Sequence, residues 1–334
     1  RNTFNPEDVC TRISHLVRRF VFLREMNQNF TNTCITNQLE PSARFVASAV
    51  VYGLVLVIGL PLNTVSLWIL LRSHGLRSPC AVLMVNLAAS DLLLALSLPL
   101  RVYFYATLQW PLGAVSCAGA IMLFRINIRT SSIFITLISL DRMVALVFPL
   151  RSRSLRTSAC ALKSCALVWI LITILSIPET LKIHGSLKNC AHMPCFEFQV
   201  QQNASQTPSI LQALFLLILL VVNVVSTVVV VVVLQRRPNA GATKVNNKMN
   251  VVLIFLVNML VFTVFFLPFT LQLLAYKKDD FDRKVLRSLI CLASVNCCLD
   301  PLIYYFSLDS FWQDKGKKQT DAGTYSLSRS MDRS

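Results

Sequence analysis

Apolar residues run along this 334-residue chain in seven long blocks, at about 46–71, 80–106, 115–148, 160–182, 209–235, 249–276 and 286–308. The fifth is the most extreme and ends in the valine run from Val228 to Val233. A helix needs about 20 apolar residues to cross about 30 Å of hydrocarbon. Every block meets that length, and backbone groups in lipid must be bonded within their own segment, so each block is expected to be a helix. The alternating ten-residue pattern of a transmembrane barrel is absent from the sequence. The predicted fold class is an all-α membrane protein: a seven-transmembrane helix bundle with a short amphipathic eighth helix. Its expected divisions are an outer segment over 1–44, a bundle over 45–308, and a tail over 309–334.

Composition agrees. The chain is 54% hydrophobic and 14% charged, against about 25% charged in soluble domains. The net charge of +16 is spread between the apolar blocks instead of forming one patch, so no nucleic-acid partner is expected. No paired C-x-x-C units occur among the eleven cysteines, which argues against zinc. The first stretch has no apolar core of signal-peptide length, so no cleavable signal is expected.

The first, third and fifth loops hold Arg72 and Arg77, then Arg151, Arg153, Arg156 and Lys163, then Arg236, Arg237, Lys244 and Lys248, with no acidic residue. The positive-inside rule puts these loops in the cytoplasm and the N-terminus outside. The glycosylation sequons at Asn29 and Asn203 fall in segments expected outside. So do Cys117, at the top of the third block, and Cys190 and Cys195 in the loop after the fourth.

Few charges survive within the blocks: Asp91, Asp141, Asp300, Arg101, Arg125, Arg129 and Arg142. Each mid-helix charge costs about 2.5–3.5 kcal/mol on insertion scales. Glu179 lies near a block end and is read as snorkelling to the interface; Arg287 is open to the same reading.

At this point the sequence resembles the rhodopsin-like (class A) G-protein-coupled receptors. The resemblance rests on Asn63 in GLPLNTVSLW, on NLAASDL ending in Asp91 and Leu92, on Asp141-Arg142-Met143, on Trp169, on Phe262-x-x-Phe265-Phe266-Leu267-Pro268, and on Asp300-Pro301-Leu302-Ile303-Tyr304. It covers about residues 45–312. It implies that Asp91, Asn127, Ser131, Asn296 and Asp300 converge on a sodium-and-water pocket, oxygen ligands suiting a hard cation. A polar network that only packs helices is the alternative. It also implies that Arg142, beside Asp141, is an ionic latch, that Phe262 and Phe266 are a packing switch, and that Pro268 hinges the sixth helix. Pro301 and Tyr304 belong to the seventh-helix switch. The chain departs from the family pattern in three places. Met143 and Phe266 replace Tyr and Trp, and the fifth block lacks the usual Pro and Tyr.

Cations near the outer end point to an anionic ligand. Arg101 is near the end of the second block, Arg125 and Arg129 share a helical face, and Lys182, Lys277, Lys278, Arg283 and Arg287 ring the rim. Guanidinium groups bind phosphate or carboxylate through paired hydrogen bonds. Solvated rim lysines are the plainer reading for Lys277 and Lys278. The stretches LVLVIGLPLNTVSLWILLR, NLAASDLLLALSLPLRVYFYATLQWP and NCCLDPLIYYF are similar to the purinergic-like lysophosphatidic acid receptors, the fifth-subtype group in particular. Cys195-Phe196-Glu197 resembles that group too, implying a Cys117–Cys195 disulfide and leaving Cys190 for Cys34 or Cys10. The implied ligand is a lysophospholipid, with a nucleotide or other anionic metabolite as the alternative.

The basic loops suit anionic membrane lipid. By resemblance they flank the cavity for a heterotrimeric G protein, with arrestin a further partner, at the plasma membrane. FSLDSFWQDKGKK, with Phe306 and Phe311, reads as the eighth helix. Thr320, Thr324, Ser326, Ser328 and Ser330 read as phosphosites or as an ordinary polar tail. No enzyme motif of the G-x-S-x-G, H-E-x-x-H, P-loop or G-x-G-x-x-G type occurs, so no catalytic residue is expected. A transporter would show an inverted repeat with interrupted helices, against which seven dissimilar blocks argue.

Overall fold

A computed structural model describes residues 42–74, 76–148, 156–188, 195–197, 207–236, 242–275 and 280–305. Seven helices are long and apolar enough to cross a membrane: α1 Ala43–Arg72, α2 Pro79–Thr107, α3 Gly113–Val147, α4 Ser158–Lys188, α5 Thr207–Arg236, α6 over Val251–Ala275, and α7 over Asp282–Tyr305. The sequence pattern located all seven. The expected eighth helix, both sequons, Cys190 and Lys278 lie outside the described residues.

The helices close into a ring in which α1 packs on α2 and α7, α6 joins α5 to α7, and α3 runs through the middle against α2, α4, α5 and α6. Position in the ring decides burial. Central α3 buries Phe124, Phe134, Ile135 and Ile138, whereas peripheral α1 leaves Val46, Val57 and Val65 bare on its outer face. In water such a surface would cost dearly; in hydrocarbon it is the solvated face.

Local chemistry sets the ends and kinks. Ser78 caps α2 by accepting the Ala81 N–H at 3.1 Å, and Pro79 occupies the first turn, where its missing N–H is not needed. α2 ends at Leu108 in the left-handed region, φ 55°. α6 contains a π-turn over Val261–Phe266, with the Leu267 N–H reaching back five residues to the Phe262 carbonyl. Pro268 follows at once and has no N–H to offer, so the helix is loosened by two adjoining features at one place. In α7, Ser294 and Val295 bond back only three residues, to Cys291 and Leu292. That tight turn directs Asn296 and Asp300 into the bundle.

α4 extends past its predicted end to Lys188, so Glu179 lies more than two turns inside a helix. α1 approaches α7 closely at Gly59, where a Cβ would sit 3.0 Å from the Cys297 Sγ. One turn on, the Asn63 amide donates to the Cys297 carbonyl at 2.8 Å and to the Gly59 carbonyl at 3.0 Å. We predict that Gly59→Leu lowers the stability of the detergent-solubilised protein by about 1–3 kcal/mol through overpacking. Gly53→Ala, whose Cβ meets nothing within 4 Å, should be neutral or raise the melting temperature. Equal effects of the two would contradict this packing.

Candidate ligand site and switch

At one end of the bundle the Cys117–Cys195 disulfide ties the segment after α4 to the top of α3. It sets Phe196 against Phe104, Tyr105 and Trp110. Beneath lies Arg101, 4% exposed. Its guanidinium carbon is 4.1 Å from the Phe124 ring centroid, 4.4 Å from Phe196 and 5.4 Å from Tyr52. Its Nε is buried without a hydrogen-bond partner. Among the described residues no carboxylate pairs with it. Aromatic faces offset only part of the cost of burying a cation, so the Arg101 guanidinium keeps an unmet demand for an anion.

The neighbouring cations are already engaged. Glu197 takes a two-pronged bond from Arg44 at 3.0 and 3.1 Å, a contact from Arg287 at 2.7 Å, and the Tyr105 hydroxyl at 3.3 Å. Arg287 also donates to the Phe196 carbonyl. Expected either as a snorkelling cation or as a ligand contact, Arg287 instead clamps the loop over Arg101. Arg283 lies one turn earlier on α7, half-buried.

A second correction concerns Glu179. Far from snorkelling, it accepts from Arg129 at 2.9 Å on both oxygens and from Arg125 at 3.0 Å. Arg129, 8% exposed, also donates to Ser176 and Gln212, each at 3.1 Å. Arg129 therefore ties α3 to α4 and α5 and has little left for a ligand. Arg125 keeps a side chain 40% exposed and one guanidinium end uncommitted to Glu179.

Mid-bundle, the expected polar residues do meet. Asn127 donates to the Asp91 carboxylate at 3.1 Å, to Ser90 at 3.2 Å and to Ser131 at 3.1 Å; Ser131 reaches Asp91 at 3.3 Å. Asn296 donates to Asp300 at 3.4 Å. Both carboxylates are 0% exposed. One oxygen of each, together with the carbonyl oxygens of Asn127 and Asn296, has no partner. The Tyr304 hydroxyl is also buried and unpartnered.

Towards the opposite end, Phe262 and Phe266 stack edge to face at 5.3 Å beside the π-turn. Here the latch expectation is corrected. Asp141 receives two bonds of 2.7 Å from Arg156 at the start of α4, and not one from Arg142. The Arg142 Nε is buried without a partner. Adjacent residues on a helix point about 100° apart, so Asp141 turns outward to α4 while Arg142 turns inward.

The sequence model of the seven-transmembrane receptors of the rhodopsin family matches residues 62–304. The chain belongs to that family. It is 37% identical to lysophosphatidic acid receptor 5 of Mus musculus over 78% of this chain and 75% of that one. It is 33% identical to lysophosphatidic acid receptor 4 of Homo sapiens over 85% and 80%, and 30% identical to lysophosphatidic acid receptor 6 of Gallus gallus over 85% and 97%.

As a member of this family the protein is a multi-pass membrane receptor and not an enzyme. Its bare apolar faces are lipid contacts, and its interior polar groups are the costly ones. The partners of Glu179 and Glu197 escaped the sequence reading, because the position of an acid along the chain carries no signal of which helix it faces. Only the excess of arginines over acids at that end hinted that partners were needed. Removing one member of a buried ion pair strands the other. Glu179→Gln should therefore lower the stability of the purified receptor by about 1–3 kcal/mol given its partial exposure, read as a lower melting temperature. Arg125→Ala should cost less, since Glu179 keeps Arg129; the reverse order would undo the assignment of Arg129 as the structural member.

Proposed function

We propose that the receptor binds an anionic lysophospholipid of the lysophosphatidic acid class at the disulfide-bearing end and activates heterotrimeric G proteins from the other. The observation that carries the ligand reading is Arg101, a buried guanidinium with aromatic walls and no carboxylate partner among the described residues. A phosphate head with about two negative charges supplies that partner. The exposed end of Arg125 is the second contact, and Arg283, on the outer turns of α7, adds to the attraction for the anion; Lys278, outside the described residues, is assigned to the same role from the sequence alone. An acyl chain then passes down the apolar interior toward Phe262 and Phe266. The names of the relatives agree with this chemistry. A nucleotide would satisfy the same charge but would bring no acyl chain to the apolar interior around Phe262 and Phe266.

The orientation that fits has the N-terminus outside, which puts Asn29 and Asn203 where glycans are added and Arg142 where a Gα subunit docks. Arrestin is the second cytoplasmic partner in this reading. The mid-bundle site suits a sodium ion. Two carboxylates buried together repel each other unless a cation or a shared proton intervenes, and four oxygens there lack partners. Asp91 and Asp300 would hold the ion, with Asn127, Ser131 and Asn296 beside them.

Arg101→Ala should reduce lysophosphatidic acid potency roughly 10- to 150-fold, the worth of a charge-assisted hydrogen bond, with surface expression intact. Unchanged potency removes the head-group assignment. In a panel run across several G-protein pathways, a nucleotide response without a lysolipid response favours the alternative ligand. Asp91→Asn should abolish the effect of sodium on agonist affinity; a retained effect contradicts the ion site.

A further inference from the structure

The family-type latch cannot act here as expected, since Asp141 is bound to Arg156 and neither α6 nor the helical stretch that leads into it from Ala242 contains an Asp or Glu. Something else must hold α6 against α3. The structure shows a polar contact in an otherwise apolar place. The Asn258 amide donates to the Ser139 hydroxyl at 2.6 Å, Ser139 donates to the Asn223 carbonyl oxygen at 2.8 Å, and the Asn223 amide donates to Thr136 at 2.8 Å. Thr136 passes its own proton to the Ser132 carbonyl at 2.8 Å. The chain of donors therefore runs in one direction across α6, α3 and α5, an arrangement in which each bond polarises the next. All four side chains are buried, and Asn258 is 0% exposed.

Position gives the contact its meaning. Asn258 precedes the π-turn at Val261 and the hinge at Pro268, so it rides on the arm of α6 that lies beyond the hinge from the ligand. Ser139 is on α3, three residues before Arg142. Further along the same arm, among the described residues, Phe255 and Val252 pack in an apolar cluster with Val230, Leu234, Met143 and Leu146. Apolar contacts slide with little preference, whereas one buried amide has one partner at one register. The fifth helix lacks the usual Pro and Tyr, and Asn223 gives it a different polar hold on α3.

We propose that Asn258 is the positioning residue that holds α6 in its resting place, and that the Asn258–Ser139–Asn223 clasp sets the receptor's basal activity. An outward swing of α6 breaks the Asn258–Ser139 bond, while Ser139, Asn223 and Thr136 stay joined on α3 and α5. The proposal rests on the receptor reading and not on the ligand reading, because its test needs no agonist.

The experiment is agonist-free nucleotide exchange on Gα by the full-length receptor in reconstituted membranes, normalised to receptor number. Asn258→Ala should raise basal exchange about two- to tenfold, the worth of one buried hydrogen bond. Asn258→Leu keeps the volume and serves as the second variant should alanine impair folding. Thr136→Val, which removes one of the two α3–α5 bonds and leaves the α6–α3 bond in place, should leave basal exchange near wild type. Ser139→Ala should raise it, and the Ser139→Ala/Asn258→Ala pair should exceed the larger single effect by no more than about twofold, since both remove the same α6–α3 bond. Unchanged or lowered basal exchange in both Asn258 variants, or multiplied effects in the pair, would overturn the clasp. Absence of any exchange, even from activated wild-type receptor, would instead count against the receptor reading.

Discussion

Every polar group inside this bundle lives under one constraint: hydrocarbon supplies no partner, so a charge or amide must find one on another helix. The pairs that result are the joints of the structure. Arg129 with Glu179 joins α3 to α4, Asn63 joins α1 to α7, and Asn223 joins α5 to α3. Glu197 gathers Arg44 and Arg287, from α1 and α7, over the mouth of the pocket. Among the buried groups left without a partner, besides amide oxygens of Asn63, Asn127, Asn258 and Asn296, are the Arg101 Nε, the Arg142 Nε, the Tyr304 hydroxyl, and one oxygen each of Asp91 and Asp300. In the proposed reading Arg101 marks the ligand end, Arg142 the transducer end, and the others the middle of the receptor.

The sequence was a good guide to what hydropathy and single positions control. All seven helices and the convergence of Asp91, Asn127 and Ser131 were legible, because apolar length and mid-span polarity are local properties. The choice of partners was not. Arg125 and Arg129 are both basic, four residues apart on one face, and look alike in sequence. Burial separates them: Arg129 is sealed by three partners, and Arg125 keeps an open end. Asp141 and Arg142 are neighbours in the chain, yet helical geometry sends them to different partners. Glu179 looked like an end residue only because α4 runs on through the less apolar stretch to Lys188.

The departures from the family pattern then take on a common sense. A helix six without an acid and a helix five without its usual Pro and Tyr would leave α6 with apolar contacts alone. Asn258 and Asn223 are amides on those two helices, and both reach Ser139. An amide bond resists sliding without the desolvation cost of an ion pair. The hinge above it is loosened by the π-turn and Pro268. Resistance and compliance therefore lie on the same helix, a few residues apart.

The central claim is that, among the described cations at the disulfide-bearing end, Arg101, the buried one with no carboxylate partner, is the one kept for the ligand. Its most direct test is the position of the phosphorus atom in a structure of the receptor bound to lysophosphatidic acid. The account predicts the phosphate oxygens within hydrogen-bond distance of the Arg101 guanidinium, with Arg129 still on Glu179. A phosphate seated on Arg129, with Glu179 displaced and Arg101 untouched, would contradict it.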